Sequence, residues 1–163
     1  LAEELMEEFG FSSSNYQSGF QATLYDSTTL ESMKEVRLDP RIEFNWNNDR
    51  PSPKLPADRF SIRWNGHLLI PKSGIYEFQT RSDDGVRLYL NNKRVIDHWN
   101  QHGPEKDSYR VHLEQGLVPI KLEYFEQGGG ATISLQWKWA EQSKWIPISW
   151  PYIFVLQPSK TRR

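Results

Sequence analysis

The sequence predicts an all-β protein, an antiparallel β-sandwich of the jelly-roll type, preceded by one short helix. Apolar and polar residues alternate with a period of two from Gly19 onward, which is typical of half-buried strands. Glycine, proline, asparagine and aspartate interrupt these runs about every ten residues, as in antiparallel sandwiches. The chain of 163 residues has the length of one domain, so a single sandwich accounts for most of it.

The N-terminal residues predict a short amphipathic helix. Ala2, Leu5, Met6 and Phe9 recur at the i, i+3, i+4, i+7 spacing of one helical face, and Gly10 ends the run. The polar segment FSSSNYQSG that follows is typical of a linker. We therefore interpret the helix as part of a neighbouring segment of a longer protein.

Ten later segments have the length and the alternation of strands. In VRLYL, for example, Val86, Leu88 and Leu90 share the face that we expect in the core. Hairpin turns are predicted at 71–74 and 91–93, where Gly and Asn tolerate a positive φ. The predicted strands, in chain order, are FQATLYD, IEFNW, FSIRW, HLLI, IYEFQT, VRLYL, RVIDHW, YRVHL, VPIKLEYF and ATISLQW.

These elements divide the chain into three parts. A helix and linker occupy 1–18, the sandwich occupies 19–155, and a polar tail occupies 156–163. Within the sandwich, the segment RPSPKLPAD at 50–58 predicts a long surface loop, because its three prolines cannot donate ladder hydrogen bonds. The ends of the chain are typical of a mature domain or an excised fragment.

The composition excludes several classes of function. Lys and Arg number 20 against 21 Asp and Glu, and a net charge of −1 gives no field that would attract nucleic acid. No apolar run approaches the roughly 20 residues that span a bilayer, so direct membrane insertion is not expected. The absence of Cys removes disulfides and thiolate chemistry. Of the seven Trp residues, Trp46, Trp64 and Trp137 follow apolar strand faces, so we expect them in the core.

Two adjacent aspartates lie in the segment RSDDGVRLYL, at the start of a predicted strand. Neighbouring side chains of a regular strand point to opposite faces, so Asp83 and Asp84 do not suit the separated carboxylate pair of a glycosidase. They are suited to sharing a cation such as Ca²⁺, which takes about six to eight oxygen ligands. The alternative is a solvated turn, in which either carboxylate caps local backbone N–H groups.

The segment EYFEQGGGAT at 123–132 is a second candidate for cation binding. Three consecutive glycines let the backbone approach a ligand closely, and their carbonyl oxygens are candidate ligands for a hard cation. A phosphate-binding loop is disfavoured, because the segment that follows has the pattern of a strand and the Lys of a nucleotide loop is absent. A flexible glycine hairpin is the alternative.

The segment HWNQH gives only a weak indication of a site. His98 and His102 have the i, i+4 spacing that serves zinc on a helix, but this segment follows a predicted strand, so we interpret both as ordinary loop histidines. Trp99 either packs at the rim of the sandwich or presents its ring to a sugar, and the rim position is favoured. No Gly-x-Ser-x-Gly nucleophile motif is present, and we predict no catalytic residues and no enzymatic activity.

Several of these segments, taken in order, resemble the PA14 domain family over residues 19–153. They are GFQATLYD, RLDPRIEFNW, the run from FSIRW to IDHW, HLEQGLVPIKLEYFEQGGGATISLQW and WIPISW. The family is a β-sandwich found in fungal flocculins and adhesins, in bacterial adhesins and as an insert in β-glucosidases. In members that keep the aspartate pair, the resemblance implies a calcium-dependent lectin. The toxin fragment that names the family lacks the pair, so the fold alone does not assign a function.

The resemblance also implies a ligand set. Asp83 and Asp84, joined by a cis peptide, would supply carboxylate oxygens, and Gln127 a side-chain oxygen. Gly129 and Ala131 would supply backbone carbonyl oxygens. The remaining positions on the ion would accept vicinal hydroxyls of a sugar.

Surrounding loops would give the specificity for the sugar. The side chains expected at the sugar are Asp83, Asp84, Trp99, His102 and Gln127. Glu126 is a departure from the simplest ligand set, because it would add a negative charge if it replaced Gln127, and both alternatives remain open.

The sequence thus predicts a calcium-dependent carbohydrate-binding module that serves adhesion or substrate targeting within a larger protein. Its expected partners are glycans with vicinal diols and neighbouring domains, with no nucleic acid. Its expected location is extracellular, at the cell surface or periplasmic. The alternative is a non-binding structural or accessory sandwich of a larger enzyme or surface protein. A glycosidase is a weaker third possibility, because no separated acid and nucleophile can be identified.

Overall fold

The computed structural model describes residues 2–157 and confirms the antiparallel β-sandwich with a short N-terminal helix. Leu1 and most of the predicted polar tail, from residue 158 onward, lie outside the described residues. The elements are α1 (Ala2–Glu8), β1 (Tyr16–Ser18), β2 (Phe20–Tyr25), β3 (Met33–Asp39), β4 (Glu43–Asn45), β5 (Phe60–Ile70), β6 (Gly74–Asp83), β7 (Gly85–Leu90), β8 (Lys93–His98), β9 (Glu105–Leu113), β10 (Gly116–Glu126), β11 (Thr132–Trp139), β12 (Ile146–Pro147) and β13 (Ile153–Leu156).

The strand predictions were correct in the middle of the chain and incomplete elsewhere. The segments FSIRW and HLLI form one continuous strand, β5, rather than two. Strands β1, β3, β12 and β13 were not predicted; β1 lies inside the segment that we interpreted as a linker. In β3, the apolar Met33, Val36 and Leu38 are exposed, so pairing with β2, rather than burial of one face, defines this strand. The positive φ angles of Asn91 and Asn92 confirm the predicted hairpin turn.

Within residues 2–157, one sheet has eight strands and the other has five. The larger sheet runs in the order β1-β13-β5-β10-β7-β8, with β2 added beside β5 and β3 beside β2. The smaller sheet runs in the order β12-β11-β6-β9, with β4 beside β11. One edge of β5 therefore pairs with β2 along Ser61–Asn65 and with β13 at His67 and Leu68.

The core lies between the two sheets and is rich in aromatic rings. Trp64 and Trp137 are fully buried there, and the partly buried Trp46 stacks on Phe44 with ring centroids 4.8 Å apart, which confirms the predicted core positions. The indole N–H of Trp64 donates a hydrogen bond to Oδ2 of Asp39 at 2.9 Å. The buried indole is therefore satisfied without solvent.

The N-terminal helix packs on this same sandwich, and the expectation that it belongs to a neighbouring segment was wrong. Ala2 and Met6 are buried in a small apolar cluster with Leu69 of β5 and Phe154 of β13. The amphipathic spacing therefore matches an apolar patch on the larger sheet. No helix in residues 2–157 combines the length and the apolar character needed to cross a bilayer.

Candidate functional site

The candidate site lies where the chain passes from one sheet to the other. In the described part of the chain, three such crossings lie side by side: β6 to β7, β8 to β9, and β10 to β11. The strand registers place them together, because Gly85 pairs with Phe125 in the larger sheet and Asp83 pairs with Thr132 in the smaller one. The crossing from β8 to β9 adjoins the crossing from β6 to β7 through the pairs Val86 with His98 and Ser82 with Glu105.

Asp83 and Asp84 form the first crossing, and the peptide bond between them is cis, as the resemblance implies. Asp84 is 5% exposed, and its carboxylate accepts backbone hydrogen bonds from both other crossings. The N–H of Gln127 donates to Oδ2 at 2.8 Å, and the N–H of His102 donates to Oδ1 at 3.1 Å. The Asp84 carboxylate therefore ties the three crossings to one another.

Glu126, the last residue of β10, brings a third carboxylate to the aspartate pair. One carboxylate oxygen each from Asp83, Asp84 and Glu126 lies within 4.8 Å of the others. The Glu126 side chain is fully buried, and among the described residues its Oε1 has no hydrogen-bond partner. The Tyr124 hydroxyl lies 3.4 Å from Oε2, but it also donates a 2.6 Å bond to the carbonyl of Asp83, which takes its only proton. The buried Glu126 carboxylate therefore has little hydrogen bonding to offset its loss of hydration.

Burial and mutual repulsion raise the pKa values of two of these carboxyl groups, Glu126 and Asp83. Burial, followed by repulsion from Asp84 and then Asp83, raises the pKa of Glu126 to about 8. Burial and the Asp84 charge also raise the pKa of Asp83 above its usual value. The pKa of the Tyr124 hydroxyl is raised as well, first by burial and then by the charge of Glu126. A cation would lower the energy of the charged forms of all these groups.

The residues of the second predicted segment lie beside this cluster. Gln127 is half-buried, and its backbone rather than any described side-chain bond contacts Asp84. Gly129 is exposed with a φ of +84°. The buried Ala131 carbonyl already accepts a 2.9 Å hydrogen bond from the N–H of Trp46. A carbonyl oxygen has two lone pairs, so Ala131 keeps one that is free for a cation.

Glu126 is the residue that sequence reasoning left undecided, although the strand period contained the signal. Tyr124 and Glu126 are two positions apart on β10 and therefore point to the same face. Tyr124 is fully buried, so its strand neighbour at i+2 also points inward. A buried carboxylate without a basic partner is an unusual feature, and here it faces two others.

Trp99 and His102 flank the cluster in the crossing from β8 to β9. The guanidinium of Arg87 lies 3.8 Å from the centre of the Trp99 ring, and Phe125 packs edge-on at 4.8 Å. These contacts agree with the predicted position at the rim. His102 contacts Asp84 through its backbone, while its ring stacks on that of His98 at 3.8 Å.

The three carboxylates form a donor set that a hard divalent cation can use. Carboxylate and carbonyl oxygens are the ligands that calcium prefers, and a buried acceptor without a donor is what such an ion satisfies. The cluster also contains no Lys or Arg side chain that would neutralise it, among the ion pairs found in residues 2–157. The arrangement can therefore hold a cation at the end of the sandwich.

Known proteins support the family assignment. The sequence matches the PA14 domain family over residues 16–148. It is 33% identical over 130 residues to Anti-sigma-I factor RsgI3 of Acetivibrio thermocellus, a match that covers 79% of this chain and 20% of that protein. The solved structure of an anti-sigma factor domain-containing protein from Clostridium clariflavum is 30% identical, with a TM-score of 0.76, over 82% of this chain and 45% of that one.

A more distant structure shares the fold. The PA14 sugar-binding domain of an RTX adhesin superposes with a TM-score of 0.70 at 13% identity, over 83% of this chain and 97% of that one. By contrast, the chain spans less than half the length of both anti-sigma relatives. From the family match over most of its length, together with the sandwich that the structure shows, the chain belongs to the PA14 domain family.

Proposed function

We propose that this PA14 domain is a calcium-dependent carbohydrate-binding module without catalytic activity. The observation that carries the proposal is the cluster of Asp83, Asp84 and Glu126, in which three buried or half-buried carboxylates converge and, among the ion pairs of the described residues, have no Lys or Arg partner. Repulsion among them favours a bound cation. The all-oxygen donor set favours calcium over softer metals.

In the proposed site, Asp83 and Asp84 supply carboxylate oxygens, and the segment after β10 supplies the rest. Glu126 is the best-placed side chain of that segment, while Gln127 and the carbonyls of Gly129 and Ala131 remain candidates. Calcium bound by these residues would offer its open positions to two neighbouring hydroxyls of a sugar. Backbone N–H groups hold the Asp84 carboxylate in place, so the site is organised before a ligand arrives.

The sugar would lie at the exposed side of the cluster, bounded by the loop that carries Trp99 and His102. Both side chains are half-buried, so part of each ring is accessible. Arg87 covers one face of the Trp99 indole and Phe125 packs edge-on against the ring, so only the part of the ring that stays exposed is available to a sugar. These residues would select among glycans that share a vicinal diol.

The relatives support this proposal in two ways. The distant RTX adhesin domain is described as sugar-binding and has the same fold. The anti-sigma relatives are much longer than the matched region, which favours a module with neighbouring domains. The proposed location of the module is outside the cell, at its surface or in the periplasm, where glycans and calcium are available.

The second candidate is an accessory sandwich that has no useful affinity for sugar. It is favoured by the higher identity to the anti-sigma relatives than to the sugar-binding domain. In this case the cation would stabilise the fold, and the contacts of the module would be made with other domains. Calcium binding without any response to glycans would distinguish this candidate from the first.

The test combines calcium titration with glycan binding. Thermal unfolding of the wild type and of Asp84→Asn is measured in calcium and in chelator, with Asp26→Asn, a surface carboxylate paired with Lys34, as the matched control. A ligand at a hundredfold excess over its Kd adds about 2.7 kcal/mol of stability. Calcium should stabilise the wild type and the control but not Asp84→Asn.

Glycan binding is then measured on an array in calcium and in chelator. Calcium-dependent binding that is lost in Asp84→Asn supports the module. If calcium stabilises the wild type but no glycan binds, the accessory role replaces the proposal. If calcium has no effect on the stability of the wild type, the proposal of a calcium site is wrong.

A further inference from the structure

A second cluster of metal-ligating side chains flanks the crossing from β8 to β9. It comprises His98 at the end of β8, His102 in the loop and Glu105 at the start of β9. One ligand atom from each lies within 4.8 Å of the other two. The cluster contains two imidazoles, which sets it apart from the all-oxygen cluster of Asp83, Asp84 and Glu126.

A hydrogen bond engages the Nδ1 atom of each imidazole ring. Nδ1 of His98 donates to Oδ2 of Asp107 at 2.9 Å. Nδ1 of His102 donates to the carbonyl of Gly103 at 2.6 Å. A carbonyl and a carboxylate can only accept, so both Nδ1 atoms carry the proton in the neutral rings. The lone pair of each ring is therefore on Nε2.

The two Nε2 atoms are the ring nitrogens that these hydrogen bonds leave available to a ligand. Nε2 of His98 lies 3.3 Å from Oε2 of Glu105. Nε2 of His102 is shielded from solvent and has no hydrogen-bond partner within the described residues. A buried nitrogen lone pair without a donor is a costly arrangement, and a metal ion is one partner that would satisfy it.

The surroundings of the rings match the outer contacts of metal-binding histidines. In such sites the second nitrogen usually donates to a carboxylate or a backbone carbonyl, which fixes the tautomer and the direction of the ring. Asp107 and Gly103 make one contact of each kind. The sequence disfavours zinc because the i, i+4 spacing of His98 and His102 serves a metal on a helix, and this segment is not a helix. Here a loop brings the rings to a centroid distance of 3.8 Å instead.

We propose that His98, His102 and Glu105 bind a borderline transition-metal ion of the Zn²⁺ class, with Asp107 as a positioning residue. Two nitrogens and one carboxylate oxygen form a donor set that suits zinc and its neighbours and that calcium disfavours. The fourth position of a tetrahedral ion is open to water. This proposal is independent of the calcium centre.

Binding requires the side chains of the cluster to rearrange. Ligand atoms bind zinc at about 2.0–2.2 Å, so the donors must approach one another from their present separations. The two rings are close to parallel, with an angle of 18°, and that angle must open for both lone pairs to meet at one ion. Glu105 is an exposed side chain, so its carboxylate is free to move toward the rings.

The test is calorimetric titration of the whole chain with Zn²⁺ in saturating calcium, which keeps the carboxylate cluster occupied. We expect one equivalent to bind to the wild type and the affinity to fall at least about tenfold in His98→Gln, His102→Gln and Glu105→Gln. His112→Gln is the matched control, because its exposed ring contacts only Glu114 among the ion pairs of the described residues. Asp107→Asn should lose about 10–100-fold in affinity while its melting temperature in chelator stays unchanged.

A second measurement uses only the wild-type protein, so it does not depend on whether the variants fold. Zinc should protect the partly exposed His98 of the wild type from diethylpyrocarbonate, mapped by mass spectrometry, and should leave His112 reactive. Absence of zinc binding to the wild type would overturn the proposal. So would unchanged affinity in the folded His98→Gln and His102→Gln variants, or equal protection of His98 and His112.

Discussion

The backbone N–H of His102 donates a hydrogen bond to Oδ1 of Asp84 at 3.1 Å, so one residue contacts both proposed metal sites. Its main chain supports the carboxylate of the calcium centre, while its ring belongs to the histidine cluster. The main-chain contact does not depend on the side chain. The two roles of His102 can therefore be separated by mutation.

Replacing His102 by Ala should leave the affinity for calcium unchanged. The substitution keeps the N–H that holds Asp84 and removes only the imidazole. Calcium titration of the wild type and of His102→Ala measures this directly. A large loss of calcium affinity would mean that the ring itself acts at the calcium centre.

Comparing Glu126→Gln with Gln127→Ala identifies the ligand that follows β10. Removing the buried Glu126 charge should weaken calcium binding by about tenfold or more, because carboxylate ligands set calcium affinity. Removing the half-buried Gln127 side chain should have little effect, since its contact with Asp84 is through the backbone. The Kd of each variant is measured by titration, and the reverse ranking would assign the role to Gln127.

The free energy of unfolding measured in chelator is a control for the Glu126→Gln variant. The pKa of Glu126 is raised to about 8, so without a cation its carboxyl group is mostly neutral at pH 7. Glu126→Gln should therefore unfold at neutral pH with a free energy within about 1 kcal/mol of the wild type. A larger loss would show that the variant disturbs the fold and not only the calcium ligand.

Gly85 should not tolerate a side chain. A Cβ at this position would lie 2.1 Å from Cε1 of Phe125, which packs directly over the glycine. Gly85→Ala should cost about 1–3 kcal/mol of unfolding free energy, as overpacking of a core does. Gly74→Ala is the control, because a Cβ added there would have no neighbouring atom within 4 Å. Equal stability of the two variants in chemical denaturation would contradict the prediction.

Glu123 should be a major electrostatic contributor to stability. Its buried carboxylate accepts hydrogen bonds from Arg63 at 2.7 Å and from Arg87 at 3.1 Å. Glu123→Gln should lower the free energy of unfolding by about 2–3 kcal/mol, because bonds to buried charges are lost. Glu43→Gln breaks the exposed pair with Arg41 and should cost less than about 1 kcal/mol. Chemical denaturation of both variants tests the contrast.

The stability of the domain should depend on pH through His67. Burial lowers the pKa of this residue below its usual value of 6.5. It lines a cavity of about 390 Å³ together with Tyr89 and Lys121. Below pH 6.5 the unfolded chain gains a proton that the native His67 resists, so the free energy of unfolding falls as the pH decreases. Above that pH both states are neutral at His67 and its effect vanishes.

The variant His67→Gln isolates this contribution. The difference in unfolding free energy between wild type and variant should be constant above about pH 7 and should shift in favour of the variant toward pH 5. Other titrating groups are common to both proteins and cancel in the difference. A difference that does not change with pH would contradict the assignment.

The fold was predictable because the strands of the core are regular. Segments such as VRLYL alternate strictly, and their apolar residues are buried as expected. The exposed strand β3 was missed because its residues Met33, Val36 and Leu38 have no buried face to reveal it. Pairing between backbones does not leave a periodic pattern in the side chains.

The candidate site was predictable only in part. The adjacent Asp83 and Asp84 and the glycine segment that follows β10 are visible in the sequence as candidate ligands of one cation. The proximity of Glu126, however, depends on the two crossings lying side by side, which is a property of strand order in both sheets. The histidine cluster was missed for the same reason, since Glu105 reaches His98 only through the register of β9 with β6.

The three adjacent crossings have a mechanical consequence. Each crossing segment belongs to both sheets at once, so an ion that binds two of them cross-links the sheets at that end of the sandwich. Peeling one sheet from the other then requires release of the ion before the core can be exposed to water. The proposed cations should therefore slow unfolding under an applied force more than they change folding.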